Sequence, residues 1–137
     1  MISLDTNAVI AAINADGSPV RTRIEEVLRR GEPVAVSSIA LFELSYLIAK
    51  SARRESNEIR LREFMAGRIE PLPFDADDAA EAGAIRATLE RAGRPVGYYD
   101  LLIAGQARRR DAVLVTANTR EFARVAGLRL EDWTTGL

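Results

Sequence analysis

The chain has 137 residues, a formal net charge of −1, 47% hydrophobic and 28% charged residues, which fits one globular domain over 1–137. It contains no Cys and no His. Disulfides, thiolate nucleophiles, Ser-His-Asp triads and metal sites built on thiolate or imidazole are therefore excluded, and any catalysis falls to carboxylates, hydroxyls, amides and Arg.

Apolar runs of strand length alternate along the chain with segments of helical period. Residues 1–4 predict a strand, and 5–15 a short helix with Val9, Ile10 and Ile13 inward. Asp16-Gly17-Ser18-Pro19 predicts a turn. Residues 20–30 form a helix with Ile24, Val27 and Leu28 on one face, closed by Gly31. Residues 33–37 read as a buried strand, after which Ser38 is placed to cap a helix running to about 52. A helix over 53–67 carries Ile59, Leu61, Phe64 and Met65. Residues 69–74 hold two prolines, so a strand there is short and at an edge. Asp75 and Asp78 mark the start of a helix ending at 91, and Gly93-Arg94-Pro95 breaks it. Residues 98–109 are helical, 112–116 form the clearest strand, 118–125 a short helix and 128–133 a last strand. Strands separated by helices argue for a parallel sheet covered on both faces, with ligands gathering at the carboxyl ends of the strands.

Four acids fall at that edge. Asp5 follows the first strand. Glu43 is the only charge between Glu32 and Lys50, set in an apolar helix. Asp100 opens the helix Tyr98-Tyr99-Asp100-Leu101-Leu102. Asn118-Thr119-Arg120-Glu121 follows the clearest strand and has the spacing of a capping box. Each has a local alternative: Asp5 as a cap, Glu43 as an ordinary polar helix position, Asp100 as an acid favoured by a helix N-terminus, and Asn118 with Glu121 as the box. Together they form a set of hard oxygen donors suited to Mg²⁺ or Mn²⁺, the usual means of phosphodiester cleavage without His. Lys50 is the only lysine among 19 basic residues. The Arg groups 21, 23, 29, 30 and 108–110 are candidates for a phosphate-binding groove.

The motifs Leu4-Asp5-Thr6-Asn7, Ser37-Ser38 to Glu43, Gly97-Tyr98-Tyr99-Asp100-Leu101-Leu102-Ile103-Ala104 and Leu114-Val115-Thr116-Ala117-Asn118-Thr119-Arg120-Glu121-Phe122, with the tail 127–133, resemble the PIN-domain ribonucleases. Within them the likeness is to the VapC toxins of bacterial toxin–antitoxin pairs, in order, spacing and length. The resemblance implies an α/β/α three-layer sandwich with a mostly parallel five-stranded sheet. It implies Mg²⁺ or Mn²⁺ held by Asp5, Glu43, Asp100 and a fourth acid. Glu121 takes that last place, with Asn118 as the competitor, because relatives with an acid nearer the strand are matched here by Ala117 and Asn118. Thr116, Thr6 and Asn7 are supporting residues.

The resemblance also implies an endoribonuclease acting on structured RNA. The stretch 93–97 and the helix after Asn118 look like the subgroup that cuts initiator tRNA in its anticodon loop. In-line attack by a water that Asp100 or Glu121 deprotonates leaves a 5′-phosphate and a 3′-hydroxyl. Arg120, Arg94 and Tyr98 are candidates for RNA contact; at least one of Tyr98 and Tyr99 is expected to pack in the core. A VapB-type antitoxin and a homodimer are the implied partners, with the apolar positions of 53–67 facing the antitoxin. No apolar run of membrane-spanning length and no secretory leader is visible, so a cytoplasmic location without membrane contact is expected. An aspartyl-nucleophile phosphatase is disfavoured because Asn7 stands where a second Asp is needed. A non-catalytic RNA- or protein-binding module on the same fold is the remaining alternative.

Overall fold

The computed structural model describes residues 1–14 and 18–134. In chain order these form β1 (Ile2–Leu4), α1 (Thr6–Asn14), α2 (Pro19–Arg29), β2 (Val34–Ser37), α3 (Ser38–Ala49), α4 (Arg54–Met65), β3 (Ile69–Leu72), α5 (Ala76–Arg91), α6 (Tyr98–Arg109), β4 (Val113–Val115), α7 (Thr119–Phe122) and β5 (Arg129–Glu131). Ser18 caps α2 by accepting the Arg21 N–H at 3.1 Å, with Pro19 in the first turn. The rest of the expected turn, Asp16-Gly17, lies outside the described residues.

The strand order is β3-β2-β1-β4-β5, and every pair is parallel. The sheet is thus wholly rather than mostly parallel, because each strand is joined to the next through helix and none by a hairpin. β1 and β2 are buried along their whole length, as strands with helices on both faces must be. β3 is an edge strand, which tolerates Pro71 without an N–H. From β1 the chain moves toward β2, whereas from β4 it moves toward β5. Right-handed crossovers therefore place α1–α4 and α5–α7 on opposite faces, completing three layers. The connections diverge between β1 and β4, and a crevice opens there at the carboxyl ends.

One core runs through both interfaces, with Leu4, Val9, Val36, Ile103, Leu114 and Phe122 fully buried. Two local expectations change, the cap of α3 and the use of Arg108–Arg110, while α4 keeps apolar positions free as expected. Ser37, not Ser38, caps α3, accepting the Ile39 N–H at 3.1 Å; Ser38 Oγ instead accepts the Phe74 N–H at 3.0 Å and ties α3 to the end of β3. α4 buries no residue completely, and Ile59 is 49% exposed. The Arg108–Arg110 group does not line a groove. Arg108 Nε donates to Glu81 at 2.8 Å, and Arg109 and Arg110 both clamp the buried carboxylate of Asp78 at 2.9 and 3.0 Å. These guanidiniums are used inside the fold because α5 begins with Asp75, Asp77 and Asp78, directly opposite the end of α6.

Asp75 and Asp78 form the expected helix start as a complete capping box. Asp78 N donates to Asp75 Oδ1 at 2.9 Å and Asp75 N to Asp78 Oδ2 at 3.0 Å. Further along, α5 and α6 approach so closely that a Cβ on Gly105 would lie 2.7 Å from Ala82 Cα and Cβ. Only glycine allows that contact, which fixes α6, and with it Asp100, against the fold.

Candidate active site

The site is built at the divergence of β1 and β4. Asp5 leaves β1 and enters α1. Its Oδ1 accepts the Ala8 N–H at 2.8 Å, and the Thr116 hydroxyl, just past β4, also hydrogen-bonds the carboxyl. Asp5 does cap α1, but capping does not exhaust it. It is only 5% exposed, and burial raises its pKa despite both hydrogen bonds, with Glu43 and Asp132 adding repulsion.

Glu43 projects from α3, half-buried, and its Oε1 accepts the Thr6 hydroxyl at 2.9 Å. This bond spans 37 residues and joins the first two motifs. Asn7 is exposed on α1. Asp100 lies in the first turn of α6, half-buried. Burial first, then Glu121, Glu43 and Asp5, push its pKa up to about 6. Asp100 feels repulsion from Glu121, Glu43 and Asp5, so the four expected acids share one electrostatic site.

Glu121 differs from the others. The expected capping box at Asn118 does not form: Asn118 makes no side-chain cap bond, and its Nδ2 donates to Glu121 Oε2 at 2.8 Å. Glu121 Oε1 instead accepts the Gly97 N–H at 3.0 Å, across to the start of α6. These two bonds, the Asn118 one foremost, hold its carboxyl below the usual range. The box fails because α7 is a single turn whose acid finds a better donor on another element.

Thr116 is buried, its Oγ1 accepting the Asn118 N–H at 2.9 Å, so it supports both Asp5 and the loop that carries Glu121. Arg94 and Arg120 are exposed. Neither Tyr98 nor Tyr99 packs in the core. They are 68% and 48% exposed, Tyr98 beneath the Arg86 guanidinium at 4.8 Å and Tyr99 edge-on to Phe42 at 5.5 Å. One acid escaped the sequence reading. Asp132 follows β5, next to Thr116 in the sheet through the Thr116 N–H to Glu131 carbonyl bond of 3.0 Å, and it repels Asp5. Its position one residue past a strand end was the available signal.

The donor set fits a hard divalent cation. It is all carboxylate and like-charged, and Asp5 and Asp100 are held at raised proton affinity, which a metal relieves. Among the described residues no three acids stand together as a metal-holding group with the side chains as placed, so the fit rests on the chemistry of the donors. A separate apolar groove between α1, α3 and α4 is lined by Ile10, Ile13, Leu44, Leu47, Ile48 and Leu61.

Comparison with known proteins decides the family. Residues 2–128 match the PIN domain. The chain belongs to the PIN-domain family. It is 47% identical over 131 residues to a protein named tRNA(fMet)-specific endonuclease VapC from Shigella flexneri, covering 96% of both chains. It is 39% identical over 130 residues to Ribonuclease VapC2 from Rickettsia felis, covering 95% of this chain and 96% of that one. The solved structure of VapBC2 from Rickettsia felis bound to a promoter DNA fragment superposes with a TM-score of 0.88 at 39% identity, over 97% of this chain and 99% of that one. That agreement extends to the PIN-type α/β sandwich expected from the sequence. No helix of the described residues is long and apolar enough to cross a membrane.

Proposed function

We propose that this PIN-domain protein is the toxin of a VapBC-type pair, a metal-dependent endoribonuclease that hydrolyses phosphodiester bonds in structured RNA. The observation that carries the reading is the cluster of mutually repelling carboxylates Asp5, Glu43 and Asp100 at the β1–β4 crevice. Asp5, Glu43 and Asp100 are the residues that would hold Mg²⁺ or Mn²⁺, with Glu121 closing the cluster from α7. Charge neutralisation, polarisation of the scissile phosphate and acidification of a water are the chemistry such an ion supplies when bound.

The chain's own residues do the rest. Thr116 and the Ala8 N–H orient Asp5, and Thr6 orients Glu43. Asp100, in the first turn of α6 and facing Asp5 and Glu43, is the residue assigned to orient the attacking water and take its proton. Attack in line with the leaving 3′-oxygen yields a 5′-phosphate and a 3′-hydroxyl. Tyr98, Arg94 and Arg120 lie exposed around the start of α6 and on α7, where an unpaired base can stack and phosphates can pair. Initiator tRNA is the proposed substrate, by analogy with the Shigella flexneri relative. A VapB-type antitoxin occupies the apolar groove beside α4, and the toxin acts as a homodimer in the cytoplasm.

The test is incubation of purified protein with total bacterial RNA and with initiator tRNA, in Mg²⁺ or in EDTA, beside Asp5→Ala. Discrete Mg²⁺-dependent fragments absent from the variant are expected. Cleavage that survives EDTA or Asp5→Ala refutes the metal–carboxylate mechanism, and RNA binding without cleavage returns the protein to a binding module.

A further inference from the structure

The two long helices of the second layer begin alike and are used differently. Each has an aspartate three residues past its N-cap: Asp78 in α5 and Asp100 in α6. That is the position whose carboxylate ordinarily reaches back to the N–H of the N-cap residue. Asp78 does so, accepting the Asp75 N–H at 3.0 Å, and is consumed in the structure. Asp100 does not. Its Oδ2 stands 3.9 Å from where a Cβ on Gly97 would be, within easy reach of the Gly97 N–H, yet that N–H donates to Glu121 Oε1 at 3.0 Å. Gly97 offers no side chain to cap the helix in return.

We infer that Glu121 is a positioning residue: it completes the cap of α6 from another element, so that the Asp100 carboxylate is kept off the Gly97 N–H and left facing Asp5 and Glu43. Asn118 holds Glu121 in that pose through the 2.8 Å amide bond to Oε2. Both carboxylate oxygens of Glu121 are therefore engaged with protein donors. This pose assigns Glu121 to the cap of α6 rather than to the ligand set expected from the sequence, and gives Asn118 the task of orienting Glu121 rather than of replacing it. A helix that capped itself would draw Asp100 out of the site. The acid needed for chemistry is spared by an acid 21 positions further along the chain.

The inference rests on the reading of Asp5, Glu43 and Asp100 as metal-holding residues, and two readouts separate the failure of each. The first is Mg²⁺ binding by calorimetry for wild type, Glu121→Gln, Glu121→Ala and Asp100→Asn. Gln keeps an oxygen for the Gly97 N–H, so Glu121→Gln should bind within about threefold of wild type, while Glu121→Ala should lose about tenfold or more, the usual scale for a group that orients a ligand. Asp100→Asn should lose binding altogether. Glu121→Gln failing as severely as Asp100→Asn makes Glu121 a direct ligand and overturns the inference, as does Glu121→Ala binding like wild type. The second readout is a crystal structure of metal-free Glu121→Ala, in which Asp100 should accept the Gly97 N–H. Asp100 unmoved there refutes the capping exchange. Wild type that binds no Mg²⁺ defeats the metal reading alone, and the metal-free structure still decides the exchange.

Discussion

Asp100→Asn should stabilise the metal-free protein while abolishing its activity. Asp100 is half-buried among acids, and its pKa rises from the ordinary 3.8 to about 6, first through burial and then through Glu121, Glu43 and Asp5. Below pH 3.8 the carboxyl is neutral in both folded and unfolded chains and costs nothing. Between 3.8 and 6 the unfolded chain ionises first, so stability falls as pH rises, and above 6 the full penalty is present. At about 1.36 kcal/mol per tenfold change in proton affinity, the ceiling is about 3 kcal/mol. Solvent reaches a half-buried carboxyl and screens it, which brings the expectation to about 1–2 kcal/mol. Asn keeps the shape and removes the charge. In EDTA at pH 7.5 the variant should melt about 4–6 °C above wild type, and the difference should vanish near pH 3.5. Added Mg²⁺ should then raise the wild-type midpoint and leave the variant unmoved. A variant that melts at or below wild type in EDTA at pH 7.5, or a gap that is the same at both pH values, would show that no charge penalty resides at Asp100.

Other consequences concern the frame that carries the site. Gly105→Ala forces a Cβ to within 2.7 Å of the Ala82 backbone, so α5 and α6 must separate; a loss of about 1–3 kcal/mol is expected in urea unfolding, and an unchanged midpoint would show that the helices yield freely. Asp78→Ala leaves Arg109, Arg110 and Gln106 Nε2 without their buried partner and should cost about 3–5 kcal/mol. The hydrogen bonds from Arg110, Asp75 N–H, Arg109 and Gln106 outweigh burial and hold the Asp78 pKa well below the carboxylate range. Its contribution is therefore present above pH 3.8 and lost as pH falls below it, and acid titration of the variant should show a flatter low-pH limb. Thr6→Val removes the 2.9 Å bond to Glu43 and should weaken Mg²⁺ binding about tenfold with little change in metal-free stability; binding equal to wild type would show that Glu43 needs no such support.

Features that depend on neighbours a few residues apart were legible without coordinates. Apolar runs marked β1, β2 and β4, because a strand buried on both faces is mostly apolar, and helical period placed Ile24 and Val27 on the buried face of α2; on α1 the buried apolar residues are Ala8, Val9 and Ala12, while Ile10 and Ile13 line the groove. The pair Asp75 and Asp78 was legible as a cap because both partners lie on one turn. The acids stood out because a lone charge in an apolar helix needs a reason. Tertiary structure decided what each side chain bonds to. Thr6 meets Glu43 across 37 residues and Glu121 meets Gly97 across 24, and no local spacing encodes either. The same gap explains the reversals. Asn118 and Glu121 have capping-box spacing, but a one-turn helix competes poorly with the exposed N–H at the start of α6. The Arg108–Arg110 run looked like a phosphate surface until the fold set it against Asp75, Asp77 and Asp78, because a guanidinium takes the nearest carboxylate that packing brings to it.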